Sequence, residues 1–182
     1  MVASLALLPP LPVDGDASAR NVRLLSVLRM LAIGGQLATI LLVDRVLGVP
    51  LPIAPMLAAL AVLLLLNIGV AALAARRPIG DVALFATLLV DVACLTVQLY
   101  LSGGIANPFV SLFLLQVVIA AVLLPIWSSW TLVVLTSLLF AWLAWSPFQL
   151  PAAFGARLSP PYAAAAWLSF TLAAALLVLF VT

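Results

Sequence analysis

The stretch VACLTVQLYLSGGIANPFVSLFLLQVVIAAVLL occupies positions 92–124, inside a longer segment that carries no charge between Asp91 and Arg157. A helix needs about 20 mostly apolar residues to cross a lipid bilayer. Because the uncharged segment is about three times that length, we expect it to cross a membrane more than once. Glycine and proline residues within the segment mark where one crossing ends and the next begins.

The composition of the whole chain is typical of an integral membrane protein. Of its 182 residues, 68% are hydrophobic and 7% are charged, whereas soluble domains average about 45–50% and about 25%. Histidine is absent, which excludes histidine-ligated haem or zinc, a Ser-His-Asp triad and a phosphoaccepting histidine within these residues. The single cysteine, Cys94, excludes an internal disulfide and an iron–sulfur cluster. A net charge of +2 is too small to indicate nucleic-acid binding.

We predict an all-α fold, a polytopic membrane bundle of six transmembrane helices. Residues 1–23 are predicted to be a short cytoplasmic tail, and residues 24–182 a six-span transmembrane domain. The six predicted spans are 24–47, 56–75, 82–101, 108–124, 128–145 and 161–182. Arg29 and Arg45 lie near the two ends of the first span, so we expect both side chains to snorkel outward.

The arginines also predict the orientation of the chain, because cytoplasmic loops of membrane proteins are enriched in positive charge. With a cytoplasmic N-terminus, Arg45 and Arg157 lie outside. Five arginines then lie inside: Arg20, Arg23, Arg29, Arg76 and Arg77. Six crossings return the C-terminus to the cytoplasm.

Asp91 lies near the middle of the third predicted span, where a carboxylate costs about 2.5–3.5 kcal/mol to insert. Helical spacing places Asp91 on one face with Gln98 and Ser102. Two interpretations remain open: these residues fix helix packing through hydrogen bonds, or they form a polar sensing face that responds to protons or a ligand. Three amide side chains on other spans are expected to fix helix packing through hydrogen bonds and are also possible partners of Asp91: Gln36, Asn67 and Gln116.

The third and fourth predicted spans are joined by GGIANPF, positions 103–109. Gly103 and Gly104 permit positive φ and a close approach of another group, Asn107 is a preferred N-cap, and Pro108 suits the first helical position. The segment can serve as a tight interhelical turn. It also offers what a quinone headgroup requires, namely free N–H groups, the Asn107 amide nitrogen and the ring of Phe109. No metal or second cofactor is required.

This heptad resembles the Gly-Gly-x-x-Asn-Pro-Phe heptad of the RegB/PrrB-type redox-sensing histidine kinases. In that family the heptad lies in a periplasmic loop of a six-helix membrane domain and is associated with ubiquinone. The resemblance implies that Gly103, Gly104, Asn107, Pro108 and Phe109 form a ubiquinone site. It also implies a location in the bacterial inner membrane, with no haem and no metal.

The resemblance further implies partners and a catalytic part outside this chain. Family members continue past the last helix into a dimerisation helix pair with the phosphoaccepting histidine, then an ATP-binding domain, and they phosphorylate a response regulator. We therefore expect a homodimer in membrane lipid whose protein-histidine kinase part lies beyond residue 182. No catalytic residue is expected within the chain, and Cys94 does not match the redox-sensitive cysteine of the family.

Two other functions are compatible with the residues. The chain could be a small transporter or channel that uses the polar face of Asp91 as its path. It could also be a structural subunit of a membrane complex. Transporters usually carry paired charges, broken helices or internal repeats, and the sequence shows a single charge in mid-span.

Overall fold

A computed structural model of the chain describes residues 14–46, 48, 51–145 and 160–181. These residues form a helical bundle, with no strand among them, which confirms the predicted all-α class. The α-helices are α1 (Asp14–Arg45), α2 (Ile53–Ala74), α3 (Asp81–Leu101), α4 (Leu112–Leu123), α5 (Ile126–Trp145) and α6 (Pro160–Val181). Two short 3₁₀ helices, Gly104–Ala106 and Pro108–Ser111, connect α3 to α4.

Four of the described helices are long and apolar enough to cross a membrane: Arg20–Arg45 within α1, then α2, α3 and α5. The apolar segments Phe109–Leu123 and Ala166–Leu179 are shorter. With 12 residues, α4 rises about 18 Å, which is less than the hydrocarbon thickness of about 30 Å. The fourth predicted span is therefore shorter than the four candidate crossings, whereas α6 has 22 residues in total.

The starts of α1 and α4 differ most from the predicted ones. Helix α1 begins at Asp14, upstream of the predicted span 24–47, because residues 14–23 contain no proline that would end the helix. Helix α4 begins at Leu112 rather than at position 108, because Pro108 begins a 3₁₀ helix. Residues 1–13 of the predicted tail lie outside the described residues.

Local sequence sets both ends of α3. Gly80 is its N-cap with an extended backbone, and Asp81 lies in the first turn, where a carboxylate favours the positive end of the helix dipole. Ser102 is the C-cap, and Gly103 follows with a φ of 112°, a left-handed conformation that glycine adopts readily. Because both ends are defined, α3 agrees closely with the predicted span 82–101.

The larger apolar core lies among α3, α4, α5 and α6. Leu88, Phe113, Val117, Leu132 and Ala174 are completely buried in it. Because these side chains come from all four helices, this half of the bundle is a single packed unit.

A smaller apolar cluster joins α1 and α2 to α3. It includes Ile40, Met56, Leu60, Leu63 and Cys94, and Cys94 is a buried free thiol that packs as a small apolar residue. Helix α1 packs closely against α2, and α2 against α3, whereas the backbones of α1 and α3 make few close contacts. The gap between α1 and α3 is where the candidate site lies.

Replacing Leu88 tests the larger core. We expect Leu88→Ala to lower the free energy of unfolding by about 2–5 kcal/mol, because a completely buried leucine leaves a cavity. Leu65 on α2 is 68% exposed, so Leu65→Ala is the matched control and is expected to change stability by less than about 0.5 kcal/mol. Reversible unfolding in mixed micelles measures both, and equal losses would contradict the described packing.

Candidate functional site

The turn between α3 and α4 is shaped by two glycines and a cap. The φ angles of Gly103 and Gly104 are 112° and 62°, in the left-handed region that favours glycine. Asn107 Oδ1 accepts a hydrogen bond from the Phe109 N–H at 2.9 Å. Pro108 takes the first position of the 3₁₀ helix Pro108–Ser111. The predicted positive φ angles, cap and proline position are confirmed.

The side-chain amide nitrogen of Asn107 makes hydrogen bonds within the same turn. Asn107 Nδ2 donates to Ser102 Oγ at 2.6 Å and to the Ser102 carbonyl at 3.4 Å, and the Val110 N–H donates to the Asn107 carbonyl at 3.1 Å. The expectation of a free amide nitrogen on Asn107 is therefore wrong. The turn is tight enough for Asn107 to join the end of α3 to the start of the next helix, so its role in the site is to hold the turn in shape.

Gly104 has a packing role against α5. A Cβ atom at this position would lie 3.2 Å from the Leu143 carbonyl oxygen, and the φ angle is also unfavourable for any other residue. The close approach expected at the two glycines is therefore made by the backbone of α5, on the side of the turn away from α1.

A cavity of about 640 Å³ lies between α1, α3, α4 and this turn. We refer to it as the interhelical cavity. Its volume falls within the range of about 300–1,000 Å³ that is usual for small-molecule sites. Most of its lining is aliphatic, and the lining residues Leu31, Phe109 and Leu115 are 68%, 41% and 42% exposed. The cavity therefore reaches the surface of the bundle between α1 and α4.

The structure brings five of the predicted site residues to this cavity: Gly103, Asn107, Phe109, Gln98 and Ser102. Gly104 and Asp91 do not line it, and the side chain of Pro108 lies outside the described residues. The polar face predicted on α3 is thus divided, because Gln98 and Ser102 line the interhelical cavity and Asp91 does not.

Two buried amides give the apolar cavity its polar character. Gln98 is 6% exposed, and its Nε2 atom has no hydrogen-bond partner among the described residues. Gln36 lines the wall formed by α1, and its Oε1 atom is also buried without a partner there. A buried polar atom without a partner costs about 1–3 kcal/mol. Both atoms therefore favour a ligand that carries polar groups.

The contribution of α1 was not predicted from the sequence. The sequence predicts for Gln36 only a role in helix packing or as a partner of Asp91, because no local feature shows which neighbouring helix a lone glutamine faces. The available clue was that Gln36 and Thr39 are polar residues on an otherwise apolar span, and both line the interhelical cavity.

Asp91 is bound by Arg29 of α1. Arg29 Nε donates to Asp91 Oδ1 at 2.7 Å and Arg29 Nη2 to Asp91 Oδ2 at 2.6 Å, the bidentate geometry of a strong ion pair. Arg29 is 5% exposed and Asp91 is 8% exposed. The prediction that Arg29 snorkels outward is wrong, because the charge of Asp91 inside the bundle is a better partner than distant solvent. Arg45 is exposed, as predicted, and contacts Asp44 at 3.1 Å.

Comparison with known proteins finds a sequence similarity to part of a sensor histidine kinase. No protein-family model matches the chain, and no solved structure matches it. The sensor histidine kinase RegB of Cereibacter sphaeroides is 32% identical over 142 residues, which are 78% of this chain and 31% of RegB. The chain thus spans about a third of the length of that relative. The resemblance stated from the heptad is confirmed, and the chain carries a RegB-like N-terminal sensor region.

A double-mutant cycle tests the ion pair. We expect Arg29→Met and Asp91→Leu each to lower the free energy of unfolding by about 3–5 kcal/mol, because each leaves one buried charge without its partner. The double variant should recover most of that loss, since two apolar side chains replace two charges. Arg45→Met removes the exposed pair and is expected to cost at most about 1 kcal/mol. Additive losses in the double variant would contradict the pairing.

Gly104→Ala tests the contact between the turn and α5. We expect a loss of at least about 1–2 kcal/mol in unfolding free energy, the usual cost of a left-handed conformation for a residue with a Cβ atom, with the contact to Leu143 adding to it. Gly34, with nothing within 4 Å of an added Cβ, is the control, and Gly34→Ala should be neutral or slightly stabilising. Equal thermal stability of the two variants would argue against the described turn.

Proposed function

We propose that this chain is a transmembrane signal-sensing region that binds ubiquinone in the interhelical cavity and reports its redox state to a histidine kinase. The observation that carries the proposal is an apolar cavity of suitable volume beside the heptad turn, into whose lining Gln98 brings a buried amide nitrogen that no described residue binds. The RegB-like sequence supports the signalling part of the proposal.

The lining of the cavity suits the chemistry of a quinone headgroup. A quinone is a flat, largely apolar ring with two carbonyl acceptors, and Gln98 Nε2 is a donor that lacks a partner. The ring of Phe109 offers an aromatic surface, and Gly103 adds no side-chain bulk where the head would enter. The amide of Asn107 is not free, so we assign the donor role to Gln98 and a shaping role to Asn107.

The two buried amides offer a means of distinguishing redox states. When bound, ubiquinone supplies a head that carries carbonyl acceptors in its oxidised form and hydroxyl donors in its reduced form. Gln98 Nε2 donates to a carbonyl, whereas Gln36 Oε1 accepts from a hydroxyl. A ligand can shift a conformational equilibrium only as far as its affinity differs between the two conformations. Because the oxidised head binds Gln98 on α3 and the reduced head binds Gln36 on α1, the two redox forms can differ in affinity for the two conformations.

The path into the cavity and the path of the signal follow from the packing. Leu31, Leu115 and Phe109 are exposed at the surface between α1 and α4, so a lipid-soluble ligand can enter from the bilayer with its tail left outside. Helix α4 packs against α6, where the rings of Phe113 and Phe170 lie 6.3 Å apart between centroids. We propose that displacement of α4 is transmitted to α6, in a homodimer that acts through a cytoplasmic kinase part and a response regulator.

We further propose six crossings of a bacterial inner membrane with both termini in the cytoplasm. The 3₁₀ helix Pro108–Ser111 adds about 8 Å to the rise of about 18 Å in α4, which brings the fourth segment near the bilayer thickness. With Arg29 inside the bundle, four arginines still favour the inner side, Arg20, Arg23, Arg76 and Arg77. Only two arginines, Arg45 and Arg157, then lie on the outer side, and Arg157 lies outside the described residues.

Binding of a short-chain ubiquinone to the purified chain in lipid nanodiscs tests the function. We expect Gln98→Met to weaken binding about tenfold, because the variant keeps the side-chain size and removes one hydrogen bond of about 1.4 kcal/mol. Phe109→Ala and Asn107→Ala should also weaken binding, through loss of the ring and of the turn shape. Isothermal titration calorimetry measures each affinity.

Ser129→Ala is the matched control for that titration. Ser129 also has a buried oxygen without a partner among the described residues, but it does not line the interhelical cavity. The Ser129→Ala variant should therefore bind the short-chain ubiquinone with the affinity of the parent chain. Absence of binding to the parent, or one affinity shared by all variants, would refute the proposed site.

Single-cysteine labelling in intact cells tests the topology. In a Cys94→Ser background, Ala106→Cys in the turn should react with a membrane-impermeant maleimide added outside. Ala75→Cys, at the end of α2, should react only after the membrane is opened. Both positions are exposed, so burial cannot explain a difference, and the reverse pattern would place the turn on the cytoplasmic side.

A further inference from the structure

A second, smaller cavity of about 40 Å³ lies beside the buried ion pair. Four polar side chains line it: Arg29, Gln36, Asp91 and Gln116. They come from α1, α3 and α4, and the remaining lining residues are apolar. Gln36 also lines the interhelical cavity, so this side chain belongs to the wall between the two cavities.

Two oxygen atoms at this small cavity have no partner among the described residues. They are Oε1 of Gln36 and Oε1 of Gln116, and both are buried. Buried side-chain oxygens are nearly always hydrogen-bonded in folded proteins, to the protein or to an ordered water. A single small group that donates two hydrogen bonds would satisfy both acceptors from this one small cavity.

We infer that the small cavity is a hydration site that holds one water molecule. The water donates to Gln36 Oε1 and to Gln116 Oε1, and it accepts a hydrogen bond from Arg29. Arg29 has five N–H donors, of which those on Nε and Nη2 bind Asp91, so a donor remains.

The volume and the number of partners agree with one water. A water molecule occupies about 30 Å³ in the liquid, and buried waters usually make about three hydrogen bonds. The cavity of about 40 Å³ accommodates one such molecule, and the two amide oxygens and the guanidinium supply three partners. Arg29 and Asp91 already join α1 to α3. The water would add α4 to this hydrogen-bond network through Gln116.

The hydration site also links the ligand to the ion pair, a consequence that rests on the proposed function. Gln36 Oε1 has two lone pairs, so a ligand hydroxyl that donates to it binds the same oxygen atom as the water and weakens or displaces that water. Occupancy of the interhelical cavity would then change the hydration of the Arg29–Asp91 pair, which connects α1 to α3. Gln36 is a positioning residue in this link.

Water-edited solid-state NMR of the full chain in lipid bilayers tests the hydration site. With ¹³C-labelled arginine, we expect rapid magnetisation transfer from water to Cζ of Arg29, whose resonance is assigned by its loss in Arg29→Met. Gln116→Met removes one acceptor at similar side-chain size, so the rapid transfer to Arg29 should be lost. Ser129→Ala removes an equally buried hydroxyl that lines neither cavity, and transfer should be retained.

The outcomes separate the hydration site from the proposed ligand. Absence of rapid transfer in the parent, or undiminished transfer in Gln116→Met, would overturn the site; Gln36→Met serves as the second variant if Gln116→Met does not fold. These spectra are recorded without quinone, so a failed quinone titration leaves their result intact. Transfer that stays unchanged when bound ubiquinol saturates the chain would overturn the link through Gln36.

Discussion

The bidentate ion pair between Arg29 and Asp91 is the interaction on which the arrangement of this bundle depends. Neither charge can remain unpaired in a hydrocarbon environment without a large cost, so each fixes the position of the other. The pair holds α1 close to α3, although the two backbones make few direct contacts. A gap therefore persists between two helices that cannot separate, and the interhelical cavity occupies it.

The two sides of the bundle have different packing and, we propose, different tasks. Among α3, α4, α5 and α6 the core is completely buried, and a ring cluster of Phe113, Phe140 and Phe170 fills it. On the side of α1, the backbones of α1 and α3 make few close contacts, and both cavities lie there. Three glutamines that line these cavities, Gln36, Gln98 and Gln116, each have a buried polar atom without a partner among the described residues. A ligand site requires space and unsatisfied polar groups, which a close-packed core does not offer.

Features encoded by neighbouring residues were predictable from the sequence. The bounds of α3, the positive φ of Gly103 and Gly104 and the cap at Asn107 all follow from local preferences of glycine, asparagine and proline. These preferences act over a few residues and do not depend on the rest of the fold, which explains why the prediction of the turn was accurate. The heptad in turn identified the family resemblance that the comparison with RegB supports.

Features that depend on distant parts of the chain were not predictable. Arg29 and Asp91 are 62 positions apart, and a hydropathy pattern treats each charge as a separate insertion cost, so Arg29 was assigned to solvent. The role of Gln36 depends on which face of α1 packs toward α3. The engaged amide of Asn107 depends on how tightly the turn closes on Ser102. All three are properties of tertiary packing and not of local sequence.

Photo-cross-linking is the most direct test that a quinone occupies the interhelical cavity. The chain in lipid bilayers is irradiated with a ubiquinone analogue that carries a photoreactive group on its ring, and the labelled peptides are mapped by mass spectrometry. We expect labelling at the heptad turn and on α1 near Gln36, with both labels suppressed by excess ubiquinone. Labels confined to lipid-facing residues of α2 or α5, or labels that excess ubiquinone does not reduce, would contradict the proposed site.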